Sequence, residues 1–192
     1  MGLKRNGFHV DAIDINQLSI DYAKEHDIID EGSTFAIELI QNADFIISGL
    51  YPNMTVEWYA TYQKYMKPHA FLTDVSGVKR NIVERIQSIL REDLEFCASH
   101  PMAGKEVSGV KYADDAIFHI ANFIITPTAK NTETAIATLK EFASILGFTN
   151  ISVLTPEEHD EMVGFVSQLT HVIAVSLMNT CLLYTSDAAD DK

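Results

Sequence analysis

Short β-prone runs alternate with amphipathic helical stretches as far as residue 154, and this alternation limits the fold more than any other feature. The β-prone runs cover residues 8–14, 44–50, 70–75, 94–99, 122–126 and 151–154. Helical periodicity fills 17–25, 34–41, 54–66, 78–90 and 132–146, and Gly147 stands as the C-terminal stop of the last stretch. Parallel strands need a crossover between them, and a helix is the usual one. The pattern therefore predicts an α/β fold, a doubly wound parallel sheet with helices on both faces.

At Thr155 the pattern changes. Thr155-Pro156-Glu157-Glu158 combines an N-cap, a proline at the first helical position and a capping-box glutamate. Met162, Phe165, Val166, Leu169, Val172, Ile173 and Leu177 then recur at helical spacing, and no strand signal follows. Residues 155–181 are expected to be the first helix of a second, α-helical domain. Residues 182–192 (LLYTSDAADDK) break the apolar period abruptly and are expected to be a non-native tail.

Bulk properties narrow the partners. No uninterrupted apolar run approaches the roughly 20 residues that cross a bilayer, and the N-terminus lacks the pattern of a secretory signal. Two cysteines, Cys97 and Cys181, form no CxxC, which fits a reducing compartment. A cytoplasmic protein without a membrane partner is expected. The net charge of -13, with scattered basic residues, argues against a nucleic-acid partner. The seven histidines show no HExxH and no zinc spacing, so no metal is expected.

In a dinucleotide-binding βαβ unit a glycine-rich phosphate loop comes first, and an acid that holds the adenine ribose follows about 20 residues later. Asp14 ends the run 8–14, where that acid belongs, and counting back from it runs off the N-terminus. The expectation is a Rossmann-type domain over residues 1–154 whose first strand and Gly-rich loop precede residue 1. Residues 2–6 would then be the tail of the first helix. A carboxylate here accepts hydrogen bonds from ribose hydroxyls and repels a 2′-phosphate, and no arginine follows, so NAD is favoured over NADP. Capping the next helix is an equally weighted role for Asp14, although Asn16 could do that job.

Three loops follow predicted strands, where such sheets place ligands. Ser48-Gly49-Leu50-Tyr51-Pro52 leads into a helix that Asn53 could cap. Thr73 to Lys79 precedes a helix starting near Val78, and its backbone N–H groups and the Ser76 hydroxyl could hold an anion or a reacting hydroxyl, or simply cap the helix. In the third loop His100 ends a strand, and Pro101 restricts it to an extended backbone. A neutral imidazole with a pKa near 6.5 can accept a proton from a substrate hydroxyl.

The run His100-Pro101-Met102-Ala103-Gly104-Lys105-Glu106-Val107-Ser108-Gly109 resembles the HPMAG-x-E-x-SG pattern of the prephenate and arogenate dehydrogenases. Similar too are Asp-x-x-x-Val-Lys at Asp74 to Lys79, the His159-Asp160 pair, and Ser167-Gln168-Leu169-Thr170-His171. The resemblance covers residues 2–181. It implies that His100 hydrogen-bonds the ring hydroxyl of prephenate and assists its deprotonation. It also implies that Asp14 binds the adenine ribose of NAD and that Leu50 and Pro52 lie along the cofactor. His171 matches the second histidine of the family's Ser-His-Leu-Pro-His run, near the substrate, whereas Gln168 replaces the first and Thr170 the proline. Gly77 stands where many members have a serine that contacts cofactor or substrate, and Ser76 is its neighbour.

The implied reaction is hydride transfer from C4 of the prephenate ring to nicotinamide, with loss of CO2 and aromatisation to 4-hydroxyphenylpyruvate, a step of tyrosine biosynthesis. Arogenate is the alternative substrate, and the full-length protein is expected to be a homodimer. A β-hydroxyacid dehydrogenase shares the architecture but not the HPMAG run. From a different class, an inactive dinucleotide-binding-fold fragment is the competing reading, and the 192-residue chain alone is expected to lack turnover.

Overall fold

A computed structural model describes residues 1–105 and 107–187, with the backbone alone for Gln168 and 182–187. Glu106 of the HPMAG run and residues 188–192 of the expected tail lie outside the described residues. A short helix α1 (Gly2–Arg5) leads into β1 (Asp11–Ile13), α2 (Gln17–Glu25) and β2 (Glu31–Ser33), and β1 and β2 pair in parallel. Next come α3 (Ile37–Asn42), β3 (Phe45–Ser48), α4 (Pro52–Tyr62), β4 (Phe71–Asp74), α5 (Arg80–Ile89) and β5 (Glu95–Phe96). β3, β4 and β5 form a second parallel set, with Ser48 opposite Asp74.

β2 lies outside the predicted strands because its sequence, Glu-Gly-Ser, carries no apolar signal. Its glycine is needed: a Cβ on Gly32 would stand 2.7 Å from Ile20 and 2.9 Å from Ile29. The predicted strand 94–99 breaks at Cys97, whose N–H donates to the Leu72 carbonyl, into β5 and β6 (Ala98–Pro101). β6 pairs with β7 (Asn122–Thr126) antiparallel, unlike the other pairs among the described residues. The physical reason is the connection. Residues 102–121 return through short 3₁₀ turns rather than a crossover helix, so the chain doubles back. Helix α6 (Glu133–Ile145) then carries it to β8 (Asn150–Val153), parallel to β7. Gly147 ends α6 with φ +91°, as its position predicts.

Helices on both faces bury separate cores. On one side Tyr59, Leu72, Ile82, Val83, Ile86 and Phe96 pack together, and on the other Phe123, Ile125, Leu139, Ala143 and Phe148 do. Each fully buried Ile or Leu of this kind contributes about 1.5–3 kcal/mol relative to exposure. The core around β1 and β2 is smaller, built on Ile20, Ala23 and Ile29.

Thr155 opens α7 (Pro156–Val163) with both halves of the capping box present. Six residues of π-helix, Gly164–Leu169, join it to α8 (Thr170–Asp187). The helical stretch Pro156–Cys181 is long and apolar enough, at a mean hydropathy of 1.4, to cross a membrane by length and composition. This qualifies the sequence reading, which considered only uninterrupted apolar runs.

Candidate active site

The parallel register brings the carboxyl ends of β3 and β4 to one edge, and β6 joins them there. The Ser99 hydroxyl lies 3.0 Å from the Asp74 carbonyl and 3.1 Å from the Thr73 hydroxyl, which fixes the next residue, His100, beside the β4 loop. His100 itself pairs with Ile124 in the β6–β7 ladder, so its backbone is extended, as Pro101 requires.

Beneath this edge lies a buried ion pair. The Lys79 ammonium donates to Asp74 Oδ2 at 2.7 Å, and both side chains are 0% exposed. The Ser76 N–H (3.1 Å) and hydroxyl donate to the same oxygen, while Asp74 Oδ1 has no hydrogen-bond partner among the described residues. Burial holds the Lys79 ammonium below the usual lysine range, and Asp74 offsets part of that penalty. Ser76, expected at the substrate, thus spends its hydroxyl on Asp74, because its side chain turns in toward the buried carboxylate. Gly77 faces the histidine instead: a Cβ there would lie 3.7 Å from Cε1 and 3.8 Å from Nε2 of His100.

Behind His100 stands a chain of polar contacts. His100 Nδ1 is 2.8 Å from Nε2 of fully buried His159, and His159 Nδ1 is 2.8 Å from Asp160 Oδ1. Asp160 also accepts the N–H groups of Lys79 (2.8 Å, Oδ1) and Arg80 (3.0 Å, Oδ2) at the start of α5. Burial pushes the Asp160 carboxyl up, but the hydrogen bonds from His159, Arg80 and Lys79 outweigh it and leave the group below the usual range. Burial, then the nearby Lys79 and His159, lower the His100 pKa to about 4 against partial support from Asp74 and Asp160. The imidazole is therefore neutral at pH 7, with a wider margin than the ordinary value near 6.5 provides.

The cofactor-side residues lie apart from this cluster. Asp14 follows β1, is exposed, and accepts the Asn16 N–H at 2.8 Å through Oδ1. Asn16 is the side-chain cap of α2, accepting the Leu18 N–H at 3.0 Å. Capping does not occupy Asp14, and its carboxylate faces solvent with acceptor capacity left, as a ribose diol requires. Leu50 sits in the loop after β3 and Pro52 opens α4; the loop is held by the Ser48–Thr55 hydroxyl contact (2.8 Å) and a bond from the Thr55 hydroxyl to the Leu50 carbonyl (3.3 Å). Asn53 does not cap α4. Pro52 occupies the first helical position, where no N–H needs a cap, and Asn53 accepts from Arg85 at 2.8 Å. His171 is exposed on α8, and among the described residues no hydrogen bond ties it to the His100 cluster. The side chain of Gln168 lies outside the described residues.

Sequence reasoning noted the His159-Asp160 pair without giving it a task, and Lys79 only as a motif letter. The contacts that define them join residues 59 and 81 positions apart, which no local pattern reveals.

Comparison with known proteins places this geometry in context. Residues 1–151 match the prephenate dehydrogenase nucleotide-binding domain, and residues 155–191 match the prephenate dehydrogenase dimerization domain. Prephenate dehydrogenase of Bacillus subtilis is 29% identical over 93% of this chain and 49% of its own length. The crystal structure of Aquifex aeolicus prephenate dehydrogenase in complex with hydroxyphenyl propionate and NAD+ superposes with a TM-score of 0.84 at 32% identity, covering 93% of this chain and 63% of that one. Synechocystis arogenate dehydrogenase gives a TM-score of 0.84 at 26% identity, over 94% of this chain and 63% of that one. The chain spans about half the length of the curated relatives it matches.

Proposed function

The chain belongs to the prephenate dehydrogenase family, and we propose that it carries the nucleotide-binding and proton-accepting parts of an NAD-dependent enzyme that converts prephenate to 4-hydroxyphenylpyruvate. The observation that carries this reading is His100: a neutral imidazole at the carboxyl edge of the sheet, its Nδ1 tied to His159 and its Nε2 beside Gly77. NAD, which the Aquifex relative holds, supplies the hydride acceptor.

His100 Nε2 accepts the proton of the ring hydroxyl as hydride leaves the same carbon, so the carbinol becomes a carbonyl. Loss of the ring carboxylate as CO2 then sends its electron pair into the ring, and the phenolic oxygen takes the proton back. No net proton is released, and the base is regenerated. On its buried inner side the imidazole is tied through Nδ1 to His159, which leaves Nε2 as the nitrogen that meets the substrate. Asp14 holds the adenine ribose and disfavours a 2′-phosphate, while Leu50 and Pro52 line the cofactor. Ser76 orders the β4 loop through Asp74 rather than touching substrate. The family resemblance implies substrate roles for His171 and Gln168 once the helical region is assembled, and the exposed apolar residues of α8, within the stretch that matches a dimerization domain, form a homodimer surface.

The test is NADH production by the full-length protein that contains this chain, with prephenate and arogenate each offered with NAD and NADP. Turnover of prephenate with NAD is expected to dominate. A protein that reduces neither cofactor with either substrate overturns the reading, and a preference for arogenate replaces its substrate.

A further inference from the structure

The structure assigns His159 and Asp160 to a positioning relay that decides which nitrogen of His100 carries the proton. Only one protonation pattern satisfies every contact with neutral rings. The Asp160 carboxylate receives two backbone N–H groups and has no proton to give. His159 Nδ1, 2.8 Å from Oδ1, is therefore the N–H end of its ring, and a neutral imidazole protonated there offers Nε2 only as an acceptor. His100 Nδ1, 2.8 Å from that acceptor, must in turn be N–H. The lone pair of His100 is left on Nε2, the nitrogen beside Gly77. This is the reverse of the tautomer that an unconstrained histidine side chain favours.

The alternative pattern makes His159 an imidazolium that donates from both nitrogens. His100 Nδ1 would then be the acceptor, and Nε2 would hold a proton and could not serve as a base. Full burial of His159 opposes this, because a further ion would be desolvated beside the Lys79–Asp74 pair. The same Asp160 carboxylate fastens α7 to the start of α5 through the Lys79 and Arg80 N–H groups, so the helix after the last strand carries the relay back to the sheet edge. The orientation of the proton acceptor thus depends on residues that follow the nucleotide-binding domain in sequence.

The tautomer assignment stands on geometry; its catalytic consequence rests on the proposed role of His100. Long-range ¹H–¹⁵N correlation spectra of the ¹⁵N-labelled chain at neutral pH read the tautomers directly, without turnover. Both His100 and His159 are expected to be neutral and protonated on Nδ1. A His100 protonated on Nε2, or a doubly protonated His159, overturns the relay. His159→Gln keeps an oxygen to accept from His100 and an amide to donate to Asp160, so it should preserve the His100 tautomer. His159→Phe removes the acceptor and should move His100 to the Nε2-protonated form; an unchanged tautomer in folded His159→Phe also overturns the relay. If that variant fails to fold, the spectrum of the unsubstituted chain still decides. In the full-length enzyme, His159→Phe should lower kcat roughly 10²- to 10⁴-fold with a smaller change in KM, and His159→Gln should recover most of it. The predicted tautomer in a protein that never oxidises either substrate would sink the dehydrogenase reading and keep the relay. Turnover with His100 protonated on Nε2 would do the opposite.

Discussion

Helices α5 and α8 end in opposite circumstances. α5 buries Ile82, Val83 and Ile86 at 2%, 1% and 0% exposure, whereas α8 leaves Val172, Ile173 and Leu177 at 58%, 56% and 63%. Apolar residues recur in both, but α8 spreads them around its circumference, and only α5 gathers them on one face against a surface of the same chain. The two histidines divide likewise. His100 is completed by His159, Asp160 and Gly77, all within the described residues, while His171 sits exposed on α8. One half of the proposed site is enclosed by this fold, and the other half lies exposed on α8.

The largest expected effect tests the completed half. In the full-length enzyme His100→Asn should lower kcat by roughly 10²- to 10⁴-fold, the loss of a positioned general base, and substrate affinity should fall less. A protonated imidazole cannot take the hydroxyl proton, so kcat/KM of the unsubstituted enzyme should decline as pH falls through the His100 pKa of about 4. An acidic limb centred near the unperturbed value of about 6.5 would mean that the buried shell opens in solution, erasing the contrast with His171. Full turnover in His100→Asn would remove His100 from the mechanism.

Next in size is the ion pair beneath the loop. Lys79→Met leaves the Asp74 carboxylate buried without its cation and should cost about 3–5 kcal/mol in urea unfolding. A loss of less than about 1 kcal/mol would show that water reaches the pair, as it does for exposed pairs. The Ser76 contacts alone would then hold the turn. Smaller again is the change at the cofactor edge. Asp14→Ser should erode the preference for NAD over NADP by about tenfold, the worth of one charge-assisted hydrogen bond to ribose. Equal efficiency with both cofactors before substitution would sink the ribose assignment.

What the sequence made legible follows the same division. Local signals survived: the Thr155 capping box, the stop at Gly147 and the extended His100 before Pro101 are each written within a few neighbouring residues. β2 escaped because a three-residue strand of Glu-Gly-Ser has no apolar alternation to find. The antiparallel return of β7 escaped because nothing in residues 102–121 announces whether a long connection crosses over or doubles back. At the site, His100 could be read from its strand and its motif. The depression of its pKa could not, because it comes from burial and from Lys79 and His159, which approach from other elements. The Ser76 hydroxyl turns to Asp74 for a related reason: the burial of that carboxylate, which no local pattern announces, captures the serine.

The smallest expected effect tests the other half. If α8 is an assembly surface, Ile173→Ser and Leu177→Ser should change the folding stability of the isolated chain by no more than about 0.5 kcal/mol, as substitutions at solvent-facing positions do. Ile86→Ala, at a fully buried position of α5, should cost about 2–5 kcal/mol under the same urea titration. In the full-length protein the pair of α8 substitutions should instead weaken the homodimer, because burial of those side chains is what association would supply. Sedimentation across a concentration series separates the outcomes. A full-length protein that stays equally dimeric with both serines in place would move the dimer surface away from α8. A loss of several kcal/mol in the isolated chain would mean instead that α8 folds back onto the sheet, and its difference from α5 would disappear.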